Sequence, residues 1–248
     1  MTRATERRKD GMGMARRVAA LGLALLSVVP SFRRLSAQVG HDPAHSPFHD
    51  ILRGPAPVVF VGHLSADRGR AGVGPSNALT VGVRYELPAG RSMAVQFSGA
   101  YLKADRFIVN PYVAESASTR RTGPVDTDLL LTDVAFQLRL TGGKTWHGLA
   151  PYLTTGLGMA FDLHSPGDTT NSGYTFGSKF TVTVGTGARW HAARRLTVHA
   201  DARVIYWRLV YPSSFRSPAP DGSRVVPLGV KADWTRHPWI SLGLGWTF

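Results

Sequence analysis

The segment HPWISLGLGWTF at residues 237–248 alternates, from Ile240 onward, between large apolar residues and small or polar residues. Because successive side chains of a β-strand point to opposite faces, a period of two predicts a strand with one apolar face. The apolar positions of this segment are Ile240, Leu242, Leu244, Trp246 and Phe248.

The same alternation recurs upstream and predicts a chain built from strands. Most of the predicted strands exceed the common length of about five or six residues and match the roughly nine to eleven residues of a tilted membrane strand. The eight predicted strands cover approximately residues 58–66, 77–87, 92–102, 130–141, 149–163, 179–190, 196–208 and 238–248.

The connections between these strands alternate in length. Short turns on one side and long loops on the other are typical of outer-membrane β-barrels. The short connections are residues 88–91, 142–148 and 191–195, and the long ones are residues 67–76, 103–129, 164–178 and 209–237.

On each predicted strand, the residues of one face are polar or small. This face is too hydrophilic for an oily core, so we expect its side chains to line the interior of a barrel. An eight-stranded barrel is just wide enough for side chains to fill it. Buried charges need partners, and the positive and negative residues of this face are nearly equal in number, which predicts a salt-bridged plug in the lumen. An ion path or gate is the functional alternative. The predicted lumen charge network is Arg84, Glu86, Asp133, Arg139, Asp162, Lys179, Arg189, Asp201 and Arg203.

Alternation alone also fits a soluble barrel of the lipocalin type, with the apolar face inside. The placement of aromatic residues near both ends of the strands favours a membrane barrel, since such barrels carry an aromatic girdle at each interface. The predicted girdles are Tyr85, Trp146, Trp190, Trp246 and Phe248 at the short-turn end, and Tyr101, Phe161, Phe180, Tyr206 and Trp239 at the long-loop end.

The N-terminal segment has the layout of a secretory signal. Arg16 and Arg17 precede an apolar run over residues 18–29, and small residues follow at Ser36 and Ala37. This pattern predicts a signal peptide over residues 1–37, with Met14 as an alternative start. Residues 38–57 are then a periplasmic lead-in, and residues 58–248 form the barrel.

Composition narrows the classes of protein further. The formal net charge is +13, but about half of the excess lies in the first 37 residues, which argues against a nucleic-acid partner. The chain has no cysteine, so no disulfide framework stabilises it. After residue 37 no apolar run approaches the roughly 18 residues of a membrane-spanning helix.

These features resemble the small eight-stranded outer-membrane β-barrel family, which includes the OmpA transmembrane domain and OmpX. The resemblance covers residues 58–248 and rests on architecture and on the aromatic C-terminal strand. It implies an all-β fold, a closed antiparallel up-and-down transmembrane β-barrel of eight strands, in the outer membrane of a Gram-negative bacterium. It also implies a monomer whose partners are outer-membrane lipid and lipopolysaccharide.

In that family the last strand carries the signal read by the barrel-assembly machinery. The assembly signal implied here is Ile240, Leu242, Leu244, Trp246 and Phe248. The resemblance favours a non-enzymatic envelope protein, structural or engaged in surface interactions, and no catalytic, cofactor-binding or metal-binding residue is assigned.

Two other functions stay open, a narrow channel and an enzyme that modifies lipid A. Lipid A deacylases use a His-x-Ser pair, which His63 and Ser65 resemble, and His164 also precedes Ser165. Ala66 occupies the position where that family usually has Asn, and we expect the His63 and Ser65 side chains on the inner face. Nucleophilic catalysis further requires hydrogen-bond geometry that spacing does not show.

Histidines spaced by four residues also raise the question of a metal site. His41, His45 and His49 would share one face of a helix and point toward a common ligand. Pro43 and Pro47 oppose a helix in this segment, so no metal is expected.

The long loops are rich in cations. On an outer surface these residues would attract lipopolysaccharide phosphates or another anionic surface. They are Lys103, Arg106, Arg120, Arg121, Arg208, Arg216, Arg224, Lys231 and Arg236.

Overall fold

A computed structural model describes residues 46–164 and 167–248 of the chain. The predicted signal peptide over residues 1–37 lies outside the described residues, as do His41, His45 and Ser165. Within the described ranges, no helix is long and apolar enough to cross a membrane.

The described residues contain ten β-strands, eight of which are long. The long ones correspond to the eight predicted strands. The bounds are β1 Phe48–Asp50, β2 Ala56–Leu64, β3 Ala78–Pro88, β4 Met93–Val109, β5 Arg121–Arg139, β6 Lys144–Trp146, β7 Leu149–His164, β8 Lys179–His191, β9 Leu196–Val210 and β10 Ala232–Trp246. Two short 3-10 helices, Ser118–Arg120 and Ser213–Arg216, lie in the long connections.

The eight long strands form a closed antiparallel ring in the order β2-β3-β4-β5-β7-β8-β9-β10. Each strand pairs with its neighbours along the chain, and β10 closes on β2. This closing ladder covers residues 58–64 of β2, whereas β10 pairs with β9 along all of Ala232–Trp246. The predicted fold class, an eight-stranded up-and-down barrel, is confirmed.

The predicted facing of the strands is also confirmed. Val81, Phe136 and Leu244 are 56%, 55% and 54% exposed on the outer wall. Arg139 and Asp201 are each 6% exposed and point inward. A soluble barrel of the lipocalin type requires the opposite facing, so that alternative is wrong.

The connection predicted over residues 103–129 is largely strand. β4 continues to Val109 and β5 begins at Arg121, so this hairpin extends well past its neighbours. On the outer face of this extension Lys103 and Asp126 are exposed, whereas Ala104, Arg106 and Ile108 on the inner face are buried. The buried face of this extension includes the charged Arg106 and the polar Thr127. Apolar and polar residues therefore do not alternate regularly here, which explains why the pattern failed to predict the extension.

Residues 47–55, here called the strap, cross the short-turn mouth of the barrel. The strap leads into β2 but is fastened beside the β5–β7 turn, where β1 pairs with β6. The Ile51 amide donates to the Gly143 carbonyl at 3.2 Å, and the Pro47 carbonyl accepts from His147 at 2.8 Å. Because β7 stands four places from β2 in the ring, the strap spans the mouth and buries Ile51 against it.

Close strand approach explains an inward glycine of β7. A Cβ atom on Gly158 would lie 2.0 Å from the Thr132 carbonyl oxygen and 2.9 Å from the Asp133 Cα of β5. These are backbone atoms, so a side chain here forces the β5–β7 ladder to shift. Gly99, on the outward face of β4, has nothing within 4 Å of the same position.

We therefore expect Gly158→Ala to lower the free energy of unfolding by about 1–3 kcal/mol, the typical cost of overpacking. Gly99→Ala is the matched control and should change it by less than about 0.5 kcal/mol. Urea unfolding of both variants, refolded into detergent micelles and followed by tryptophan fluorescence, measures the difference. Equal effects of the two substitutions would contradict the steric account.

Candidate functional site

The half of the lumen nearer the short turns holds a network of buried charges centred on Asp201. Arg84 donates through Nη1 to Asp201 Oδ2 at 3.0 Å, and both side chains are almost fully buried. Arg203 Nη2 and the Tyr152 hydroxyl both donate to Asp201 Oδ1, at 3.0 and 2.7 Å. One carboxylate thus binds two guanidinium groups and one tyrosine hydroxyl, which come from three different strands.

A second centre forms around Glu86. Its carboxylate pairs with Arg189 and accepts from Gln96 Nε2 at 3.0 Å, and His199 Nδ1 lies 3.7 Å away. Gln96 Oε1 in turn accepts from Arg203 Nη2 at 3.1 Å, which joins the two centres into one network. Side chains from most of the barrel wall therefore meet across the lumen.

Seven of the nine residues proposed for the lumen network lie in this half of the barrel. Asp133 approaches Arg203 Nη1 at 3.6 Å. Arg139 is buried, but its Nε and Nη1 atoms have no hydrogen-bond partner among the described residues. Asp162 and Lys179 lie apart, at the long-loop ends of β7 and β8, where Lys179 Nζ is 5.4 Å from the centre of the Phe176 ring.

The other half of the lumen is filled by an apolar plug that the sequence pattern did not predict. Phe176 packs edge-on against Trp207 with ring centres 6.1 Å apart, and Tyr174 stacks on Phe215 at 5.8 Å. The loops contribute Ala71, Val73, Tyr174, Phe176, Tyr211, Phe215 and Val226, and the wall contributes Leu64, Leu102, Leu129, Ile205, Trp207 and Leu209. The inward-facing side chains in this half of the barrel therefore form an apolar core.

An aromatic pair separates the plug from the charge network. Phe60 and Trp239 meet edge to face with ring centres 5.4 Å apart. On the side of the charges, Arg84 lies 5.2 Å from the Phe60 ring and Arg203 lies 5.5 Å from the Trp239 ring. These cation–π contacts give the guanidinium groups a favourable surface at the boundary.

Trp239 was predicted in the outer aromatic girdle, and that prediction is wrong. It shares its parity with Ser241 rather than with Ile240, so its indole points inward and donates to Thr80 Oγ1 at 3.0 Å. The sequence already shows that Trp239 lies on the same face as Ser241, and it shows aromatic residues in the long loops. What the sequence did not reveal is that the loops fold back into the lumen.

The predicted inner placement of His63 is also wrong. Leu64 and Phe60 point inward, so His63 shares the outer face with Val61, where it borders a groove with Leu79. Among the described residues, no hydrogen bond or ion pair joins His63 to Ser65 or to a carboxylate. This arrangement lacks the base and orienting acid that activate a serine.

The described histidines do not form a metal site. His49 lies in β1, an extended segment rather than a helix. Among residues 46–164 and 167–248, no group of three or more potential ligands could hold a metal ion.

The long loops are tied together at their outer ends. Asp221 accepts from the Glu115 amide at 2.8 Å and from the Ser223 hydroxyl at 2.6 Å, linking the β9–β10 loop to the β4–β5 loop. The hydrogen bonds from Ser223 and Glu115 lower the pKa of the Asp221 carboxyl to about 2. Two of the loop cations, Arg106 and Arg120, are buried rather than on the surface as predicted.

No family model matches the chain, and no curated protein matches it. Solved structures with a similar fold include the outer membrane protein OprG of Pseudomonas aeruginosa, at 12% identity over 82% of this chain and 99% of that one, with a TM-score of 0.49. Neisserial surface protein A is 14% identical over 79% of this chain and 97% of that one, with a TM-score of 0.47. The N-terminal barrel domain of Pseudomonas aeruginosa OprF is 11% identical over 78% and 98%, with a TM-score of 0.41.

Removing the central carboxylate of the network should destabilise the barrel strongly. In Asp201→Asn, Arg84 and Arg203 lose their shared counter-charge while staying buried, at a cost of about 3–5 kcal/mol. Asp126→Asn is the matched control, because Asp126 pairs with Lys103 at 3.4 Å in an exposed position, where the loss is at most about 1 kcal/mol. Urea unfolding compares the two, and similar losses would contradict a structural role of the network.

Acid should loosen the link between the outer loops. Because the pKa of Asp221 is lowered in the folded protein from the usual 3.8 to about 2, its stabilising contribution is present above pH 3.8 and is lost as the pH falls through about 2. The amide chemical shifts of Glu115 and Ser223 should therefore titrate with a midpoint near 2, and Asp221→Asn should abolish that titration. A midpoint at the ordinary aspartate value would show that these hydrogen bonds do not form in solution.

Proposed function

We propose that the chain is an integral outer-membrane β-barrel protein with a closed lumen, whose role is structural or lies in interactions at the cell surface. The main support for this proposal is that the closed ring of strands has an apolar outer wall bounded by aromatic residues. In hydrocarbon every backbone N–H and C=O group needs a partner within the protein, and a closed barrel provides it.

The outer wall is far more apolar than a water-facing surface tolerates. Soluble monomers rarely expose contiguous apolar patches larger than a few hundred Å². Here large aliphatic and aromatic side chains are exposed on all eight strands of the ring. They include Val59, Val61, Leu79, Val81, Val83, Phe97, Val134, Phe136, Leu153, Leu157, Phe180, Val184, Val210, Ile240, Leu242 and Leu244.

The contents of the lumen favour a structural or surface role over conduction. A permeating ion would have to pass the Asp201 and Glu86 centres, whose side chains bond across the lumen, and then the plug around Trp207. Both obstacles consist of buried and mutually packed groups. The narrow-channel alternative would require both to move.

The proposal places the short turns in the periplasm and the long loops outside the cell. Lys103, Arg208, Lys231 and Arg236 are exposed at the long-loop end. Cations above an apolar belt suit the phosphates of lipopolysaccharide, whose acyl chains would lie along the wall below. We include lipopolysaccharide as a partner, and the barrel-assembly machinery as the reader of the strand that ends at Trp246 and Phe248.

A charged substitution on the wall tests the membrane assignment. Val83, in the middle of β3, is 62% exposed, and Leu228, in the β9–β10 loop, is 66% exposed. Val83→Arg should cost about 2–4 kcal/mol in phospholipid vesicles, the value for Arg at the bilayer midplane. Leu228→Arg should change the free energy of unfolding by less than about 0.5 kcal/mol, because its side chain meets water.

The two side chains are similarly exposed, so a water-soluble barrel would tolerate both substitutions. Comparable small effects of Val83→Arg and Leu228→Arg would therefore refute the proposal. The folded state of each variant is checked independently by the gel shift between boiled and unboiled samples, which folded outer-membrane barrels show.

A further inference from the structure

A pocket of about 540 Å³ opens at the short-turn mouth, beside the strap. His49 and Asp50 of the strap form one side, and Arg194 of the β8–β9 turn forms another. His191, the last residue of β8, and the buried Thr145 of β6 also line it. The pocket therefore lies between the strap and two neighbouring connections, which are themselves joined because the His191 amide donates to the Gly148 carbonyl at 2.8 Å.

The pocket and its surroundings carry more positive than negative charge. Arg139 and Arg189 both lie within electrostatic reach of the His191 imidazole. Arg53 of the strap in turn lies within reach of Arg139. The nearest buried carboxylate, Glu86, is already bound to Arg189 and Gln96.

Several side-chain nitrogen atoms in or near this pocket lack a hydrogen-bond partner among the described residues. His191 Nε2 and two guanidinium nitrogens of Arg139, Nε and Nη1, are buried without a hydrogen-bond partner among the described residues. Arg139 is 6% exposed, so more than nine-tenths of it is withdrawn from water. Arg139 shares the Glu86 carboxylate with Arg189, so a nearby anion would offset part of the remaining positive charge.

We infer that this pocket binds a phosphate-type oxyanion, supplied either as free phosphate or as the headgroup of a lipid. Arg194 provides a fork of N–H donors that matches two phosphate oxygens, and His191 Nε2 provides a further hydrogen-bonding atom at the rear. Asp50 sits at the rim of the pocket, on the exposed strap. The anion would pair with Arg194 and offset part of the excess positive charge around His191.

Both free phosphate and a lipid headgroup can reach the pocket. It opens at the short-turn end, which the proposed orientation places in the periplasm. Trp146 and Trp190 flank it on the outer wall, each 52% exposed, at the level of the predicted aromatic girdle. A lipid with its acyl chains beside these indoles would carry its phosphate to the height of His191, the residue that follows Trp190.

The test uses the folded full chain in dodecyl maltoside micelles, in chloride buffer. Isothermal titration calorimetry is run with inorganic phosphate and, separately, with dioctanoyl phosphatidylglycerol. We expect saturable binding of at least one probe. Arg194→Gln should weaken it about tenfold or more, because it removes hydrogen bonds to a charged group.

Arg195→Gln is the matched control, since Arg195 is an exposed arginine of the same turn that does not line the pocket. It removes the same charge and should leave the affinity within about twofold. His191→Gln serves as a second variant inside the pocket, and the gel shift on boiling verifies that every variant is folded. Membrane insertion is measured separately with Val83→Arg, so a failure of phosphate binding leaves the proposed function standing.

The two probes distinguish the sources. Binding of inorganic phosphate identifies the free ion as sufficient, and binding of the lipid alone identifies a headgroup site; both outcomes support the inference. Lack of binding of either probe overturns it. Equal weakening by Arg194→Gln and Arg195→Gln also overturns it, because that result shows a diffuse field rather than a site.

Discussion

Closure of the backbone hydrogen-bond ring is the constraint on which the rest of the structure depends. With β10 paired to β2, no strand of the wall has an open edge. The ring fixes which parity faces out, since the pleat allows only two faces. Its small circumference then forces the inward side chains into contact across the lumen, so that their chemistry has to be mutually compatible.

That compatibility is reached by dividing the lumen into two layers. Near the short turns, long charged side chains neutralise one another around Asp201 and Glu86. Near the long loops, packing of aromatic and aliphatic groups around Trp207 replaces ion pairing. The Phe60 and Trp239 rings are compatible with both layers, because they pack against hydrocarbon on one side and against guanidinium groups on the other.

The sequence was sufficient for features that depend on local periodicity. The alternation around Val81 and Leu244 predicted the strands and their facing, and the alternating connection lengths predicted the topology. Prediction from the sequence failed where the placement of a residue depends on distant parts of the chain. The inward turn of the loop residue Phe176, and the crossing of the mouth by Ile51, leave no periodic signal because their partners lie on other strands and turns. His63 and Trp239 show a different failure, in which parity was assigned from expected chemistry rather than from the neighbouring residues.

The ladder between β2 and β10 is the shortest in the ring, confined to residues 58–64 of β2. On the β10 side it includes Gly243 and Gly245, which add no side-chain packing to the backbone bonds. Under force or heat we therefore expect the barrel to open first at this seam between β2 and β10, since the fewest backbone hydrogen bonds have to break there. The two strands that meet at this seam are the first and last of the ring along the chain, so the shortest ladder also joins the pair with the greatest separation in sequence.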